Sequence, residues 1–296
     1  MSIRRVFRAA APSLVLLSLV LLAPVPAFAL PPVWVVRDQD STMTIFGSVH
    51  LLPQGVDWKP PALDRALSQA DDIWFEAPMD AAGRSDATAA AQSHALLPEG
   101  QSLLKLLSKA GRKRMEAQAA AVGMPLAQID RLRPWYAELL ISSALYQKVG
   151  AAGADGVEQQ LWGAVPARAV RHALESPAEQ VGFFADAPMK DQLASLEQTL
   201  KDSGDAETDF HTLLDAWLSG DLKRLDREVV RPLRKASPGL YAAVVEQRNA
   251  RWTEALVKRM QGSGRTVVVV GMGHLIGPDG VPARLRARGL QVEGPR

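Results

Sequence analysis

The chain has 296 residues, with 34 lysines and arginines against 32 aspartates and glutamates, and no cysteine. The lack of cysteine excludes a disulfide scaffold and every thiolate metal ligand, so any bound metal would rest on His, Asp or Glu. Three arginines (Arg4, Arg5 and Arg8) open the chain; without residues 1–29 the count is 31 basic to 32 acidic, a net charge of −1 that offers nucleic-acid binding no electrostatic support.

An apolar run from about Ala9 to Leu22 follows these arginines, and then "PVPAFA", ending at Ala29. A basic end, a short apolar middle and the small-x-small site Ala27-Phe28-Ala29 make residues 1–29 a secretory signal peptide. The expected product starts near Leu30, is periplasmic or secreted, and has no later apolar run long enough to span a membrane. Residues 30–296 are expected to form one domain with a helical insertion over about 100–262.

Val33–Arg37 and Met43–Phe46 read as strands joined by the turn-forming "DQDS", a hairpin. A third strand lies in "DDIWFEAP", where Ile73, Trp74 and Phe75 run into Glu76. Residues 80–95, "DAAGRSDATAAAQSHA", read as a flexible insertion with some helical character toward "AAAQSHALL". Helical periodicity marks roughly 101–121, 135–148, 178–202, 208–219, 221–230 and 240–261. Between them Ala167–Leu174 reads as a strand ending at Glu175. The chain closes with a strand at Thr266–Val270, a glycine-histidine loop, a helix over Val281–Arg288 and the strand "LQVE". The expected fold is α/β: a central mixed sheet built from both chain ends around a large helical middle region.

One pattern occurs twice. "IFGSVHLLPQGV" (45–56) and "VVGMGHLIGPDGV" (269–281) both pass from an apolar strand into Gly-x-x-His-Leu, an aliphatic residue, a proline, one further residue and Gly-Val, then a helical segment. The second copy carries one extra residue, Gly277. Two of the five histidines are spent on this repeat, so the chain contains two related strand-GxxH-helix halves around a shared site. A strand-end glycine permits either unusual dihedrals or close approach, and His50 and His274 are aimed at the carboxyl edge of the sheet, where ligands of open α/β sheets bind.

Carboxylates can join this pair. Glu76 follows Ile-Trp-Phe and is costly to bury without a partner. Glu175 stands in the same way after "RHAL", where a solvated strand end is the simpler reading. Arg248 and Asn249 lie on a helix leading to the last strands, and Arg248 suits the orientation of a carboxylate or the binding of an anionic group. His94, His172 and His211 have no partner pattern, and Trp135, Trp162, Trp217 and Trp252 fit the core or a groove wall.

The two Gly-x-x-His motifs, together with "WFEAP", "RPWYAELL", "ALESPAEQVGFF" and "EQRNARW", make the chain resemble the TraB/GumN family, which is similar to the Tiki metalloproteases and grouped with erythromycin-esterase and ChaN-like proteins. The resemblance covers nearly all of residues 30–296. It implies an α/β fold with two related halves and a site using His50, His274 and Glu76, with Arg248 as a helper. Tiki-like relatives imply a metal-dependent protease, esterase relatives a histidine-glutamate site without metal, and ChaN-like relatives haem binding.

The leading expectation is an exported hydrolase, a divalent-metal-dependent peptidase in which His50 and His274 hold manganese, cobalt or zinc, Glu76 is a third ligand or the base that activates a bound water, and the metal lowers that water's pKa. The substrate would be a peptide or small molecule. The alternative is a non-enzymatic binding protein for haem, a metal or a polysaccharide precursor. No H-E-x-x-H helix and no G-x-S-x-G elbow is present, and the glycines from Gly271 stand too near the chain end for a dinucleotide domain.

Overall fold

A computed structural model of the chain describes residues 30–202 and 205–295; the expected signal peptide lies outside them. The strands are β1 (Val33–Arg37), β2 (Ser41–Ser48), β3 (Leu52–Pro53), β4 (Asp72–Phe75), β5 (Ala151–Ala152), β6 (Val170–Ala173), β7 (Gly264–Gly271) and β8 (Gln291–Glu293). Six of them form one mixed sheet in the order β6-β4-β7-β2-β1-β8, and β3 pairs with β5 alone. β1 is antiparallel to β2 and β8, whereas β6, β4, β7 and β2 run parallel. The hairpin between β1 and β2 closes where Asp38 N–H donates to Ser41 C=O.

The valines Val267 to Val270 of β7 are all buried, as a central parallel strand covered on both faces requires. β2 and β7, which carry the repeated motifs, are direct neighbours, and Ser48 pairs with Gly271 while Gly47 pairs with Val270. The repeat therefore sits in the sheet with a stagger of one residue. Because side chains alternate along a strand, that stagger turns equivalent positions of the two copies to opposite faces.

Two cores result. One surrounds the sheet and includes Phe46, Trp58 and Trp217, whose rings lie 5.6 to 6.3 Å apart, with the Trp217 indole donating to the Gly47 carbonyl at 2.9 Å. The other joins Leu103, Met115, Ile129, Ile141 and Leu196 of the helical region. No helix among the described residues is long and apolar enough to cross a membrane.

Several elements differ from expectation. The segment expected as a flexible insertion is a helix, Ala81–Ser93, packed on the helix Pro177–Ala185. Asp80 caps it by accepting from Gly83 N–H at 2.7 Å, and an alanine-rich stretch with such a cap needs little further help. The stretch 101–121 divides into Leu103–Leu106 and Lys109–Val122, each started by its own serine cap. The stretch 178–202 divides before Met189 into Pro177–Ala185 and Met189–Asp202, since Pro188 supplies no amide for a continuing helix. A helix at Val157–Ala164 was not expected. The last long helix is regular only over Arg248–Met260, and the six residues before it, Ala242–Gln247, are π-wound.

Candidate functional site

Beyond the carboxyl ends of β2, β4 and β7 the structure brings His50, Glu76, His274 and Arg248 together. Glu76 leaves β4 buried at 6% exposure. Its Oε1 accepts from Gly271 N–H at 2.6 Å, and its Oε2 accepts from Arg248 at 2.7 Å and Gln180 at 3.1 Å. Burial alone would raise its pKa, but neighbouring positive charge and the Gly271 amide pull it down to about 2. His274 is the largest of these opposing influences, followed by Arg248 and His50, and once His274 is neutral the Arg248 guanidinium is the strongest that remains.

Arg248 is itself buried at 3% exposure. Its Nε and Nη2 donate to Glu175, its Nη2 also to Glu76, and its Nη1 to the Val244 carbonyl at 3.3 Å and to His274 Nε2 at 3.1 Å. Glu175 is no solvated strand end. It is buried and also accepts from the Trp252 indole at 2.9 Å and from Arg251 at 3.1 Å. Two carboxylates thus flank one guanidinium, the arrangement a buried charge needs.

The two histidines are not equivalent. His274 is buried against the Trp252 ring at 4.4 Å. The Asn249 amide nitrogen donates to the carbonyls of His274 and Asp279, which leaves Asn249 Oδ1 to accept from His274 Nδ1 at 2.7 Å. Nε2 then carries the lone pair and accepts from Arg248. Burial lowers the His274 pKa to about 3, so the ring is neutral. His50, by contrast, has a side chain 70% exposed. Its Nδ1 lies 2.8 Å from Glu158 Oε1, an atom that also accepts from Ser48 Oγ at 2.5 Å. The Glu158 carboxylate is the main cause that raises His50 to about 9. His50 Nε2 has no partner among the described residues and remains available.

Glu158 escaped the sequence reading. It lies on the helix Val157–Ala164, whose inner face is Val157, Glu158 and Leu161, and a glutamate on the apolar side of a short amphipathic helix was the available signal. Gly156 lets this helix approach, because a Cβ there would collide with the His50 carbonyl.

The repeated glycines serve close approach rather than special dihedrals, since neither has a positive φ. A Cβ at Gly47 would collide with the Met272 side chain. A Cβ at Gly271 would stand 3.1 Å from Glu76 Oε1, 3.6 Å from His274 Cδ2 and 3.9 Å from His50 Nε2, so these three groups surround one small space. Gly271 has φ −53° and ψ 137°, which alanine adopts freely. Gly271→Ala should therefore remain folded, lose about 1 kcal/mol from crowding, and lose any activity that uses this space. Gly273→Ala, whose Cβ would meet nothing within 4 Å, should be silent in both the melt and the assay.

Among the described residues no group of three or more His, Asp or Glu side chains is placed to hold a metal ion. Both nitrogens of His274 are engaged, by Asn249 and Arg248, and the Glu76 oxygens are shared among Arg248, Gln180 and the Gly271 amide. As they stand, His50, Glu76 and His274 do not fit a divalent ion, because a resident guanidinium takes the cation's place between two of them.

The fold and site define an α/β protein with two Gly-x-x-His loops meeting at one sheet edge around a buried arginine. The chain belongs to the TraB/PrgY/gumN family, whose model matches residues 32–294. It is similar to the uncharacterized protein YbaP of Escherichia coli (strain K12), with 25% identity over 253 residues, 82% of this chain and 87% of that protein. It is also similar to an uncharacterized protein of Treponema pallidum (strain Nichols), with 24% identity over 208 residues, 67% of this chain and 62% of that one. No solved structure matches it.

Proposed function

We propose that the protein is an exported hydrolase acting on an amide or ester bond of a peptide or small molecule, with His50 as the proton-transferring group. The observation that carries this reading is the exposed, unpartnered His50 Nε2 beside the space over Gly271, backed at Nδ1 by buried Glu158. Export rests on the arginines and apolar run of residues 1–29.

In this reading a water over Gly271 gives its proton to His50 Nε2 as its oxygen attacks the substrate carbonyl carbon. The imidazolium then returns the proton to the leaving nitrogen or oxygen. Glu158 holds the Nδ1 proton and stabilises the positive ring. Glu76, kept ionised by Arg248, lies across the same space and orients the water. Neutral His274 forms the wall and fixes Arg248.

The test is turnover of peptide and ester libraries by purified protein, with metal analysis and with chelator present. The expected result is turnover that persists in chelator. Turnover that vanishes in chelator and returns with manganese, cobalt or zinc would favour the metal-dependent peptidase and require Arg248 to withdraw. No turnover, with a haem absorbance shift that depends on His50, would favour a binding protein.

Acidity offers a second check. His50 is the base only when neutral, so kcat/KM should rise with pH toward about 9, where its proton leaves. In Glu158→Gln the raising charge is gone, and the rise should move down toward the ordinary histidine pKa of about 6.5. An unmoved profile would remove His50 from the role.

A further inference from the structure

A cleft of about 820 Å³ lies on the far flank of the His274 loop and contains neither His50 nor Glu76. Its floor is carbon: Trp34, Leu275, Ile276 and Pro282 are buried there, and the one polar atom of the Trp34 side chain is spent on the Pro295 carbonyl at 2.9 Å. Its rim is cationic, with Lys223, Arg227, Arg231 and Arg286 among the lining residues and Asp226 as the one carboxylate.

That carboxylate is already engaged, by Arg231 at 2.8 Å and Arg234 at 3.9 Å. Among the described residues Arg227 pairs only with its neighbour Glu228, an exposed pair of little strength. Lys223 makes no ion pair among the described residues. The rim therefore has positive charge left for a ligand.

The wall is shaped to present it. Residues Asp226–Val230 are π-wound, with Arg231 N–H donating to Asp226 C=O, and Pro232 just beyond has no amide to restore the ordinary pattern. Lys223 on the helix before this turn, Arg227 within it and Arg231 just after it line the same cleft at intervals of four residues. Long cationic side chains over an apolar slot of this volume match a ligand with a hydrocarbon body and an anionic end.

We propose that this cleft binds a monomeric anionic amphiphile, a single alkyl chain with a carboxylate or phosphate head, at a site separate from the histidine cluster. The chain lies along Trp34, Leu275, Ile276 and Pro282, and the head meets Lys223 and Arg227.

The test is calorimetric titration of the purified protein with dodecanoate below its micelle concentration, beside dodecanol, inorganic phosphate and phosphatidylglycerol vesicles. One-to-one binding of dodecanoate is expected, with dodecanol and phosphate each weaker. The double variant Lys223→Ala/Arg227→Ala should weaken dodecanoate at least about tenfold, as loss of charge-assisted bonds implies. Ala283→Trp, which fills the slot without changing charge, should abolish it, with thermal melts confirming both folds. The proposal is overturned by an absence of dodecanoate binding, by equal binding in the double variant, or by vesicle binding without monomer binding, which would make the rim a membrane contact.

Discussion

Arg248→Met should destabilise the protein by about 3–5 kcal/mol at neutral pH, the usual consequence of removing one partner from a buried ionic cluster. Glu76 and Glu175 would be left facing each other in the interior with no cation between them, and His274 Nε2 would lose its donor. Methionine replaces much of the lost volume, so the effect is electrostatic and not a cavity. The pH dependence separates the two. In the variant Glu76 keeps the burial that raises its pKa and loses the guanidinium that lowers it, so the destabilisation is greatest at neutral pH and shrinks as acid protonates Glu76 in the folded state. Urea denaturation at pH 7 and pH 4.5 measures the difference; a loss equal at both values would mean that packing was the cause. Arg248→Lys keeps the charge but cannot reach Glu76, Glu175 and His274 together, and should recover only part of the stability.

His50→Ala should lower turnover by about 10²–10⁴-fold, the range of a general acid–base group, with a much smaller effect on KM. The stability change is modest by comparison. The ring is largely exposed, but its loss leaves Glu158 with Ser48 as partner, a cost of about 1–3 kcal/mol. Rate and stability therefore move in opposite proportion in the two variants: Arg248→Met chiefly lowers the unfolding midpoint, and His50→Ala chiefly slows the reaction. A His50→Ala protein with full turnover would dismiss the proposed chemistry outright.

Strands β1, β2, β4 and β7 were legible as short apolar runs with their own punctuation, from the turn after Arg37 to the glycine at 271, whereas the edge strands β6 (VRHA) and β8 (QVE) are mostly exposed and carry no such run. The convergence of His50, Glu76, His274 and Arg248 was legible for a different reason: a repeated loop, a carboxylate after Ile-Trp-Phe and an arginine on a helix toward the last strands all refer to one edge of the sheet. Glu158 was harder to find, since its partner lies 108 positions away and its one signal is a place on the apolar side of a short helix. The division of long helical stretches at Ser108 and Pro188 was readable in principle from capping and proline rules. The π-wound turn before Arg248 was not, because its stability comes from contacts that the helix makes after the chain has packed.

The one-residue stagger between the repeated strands has a consequence for how such a centre is built. Copying a strand-loop unit into the neighbouring lane inverts it, so the daughters inherit the same motif but different surroundings, one wet and one sealed. In the proposed chemistry one repeated motif thereby serves two tasks: an imidazole free to trade protons and a second that serves as masonry for the arginine beside it.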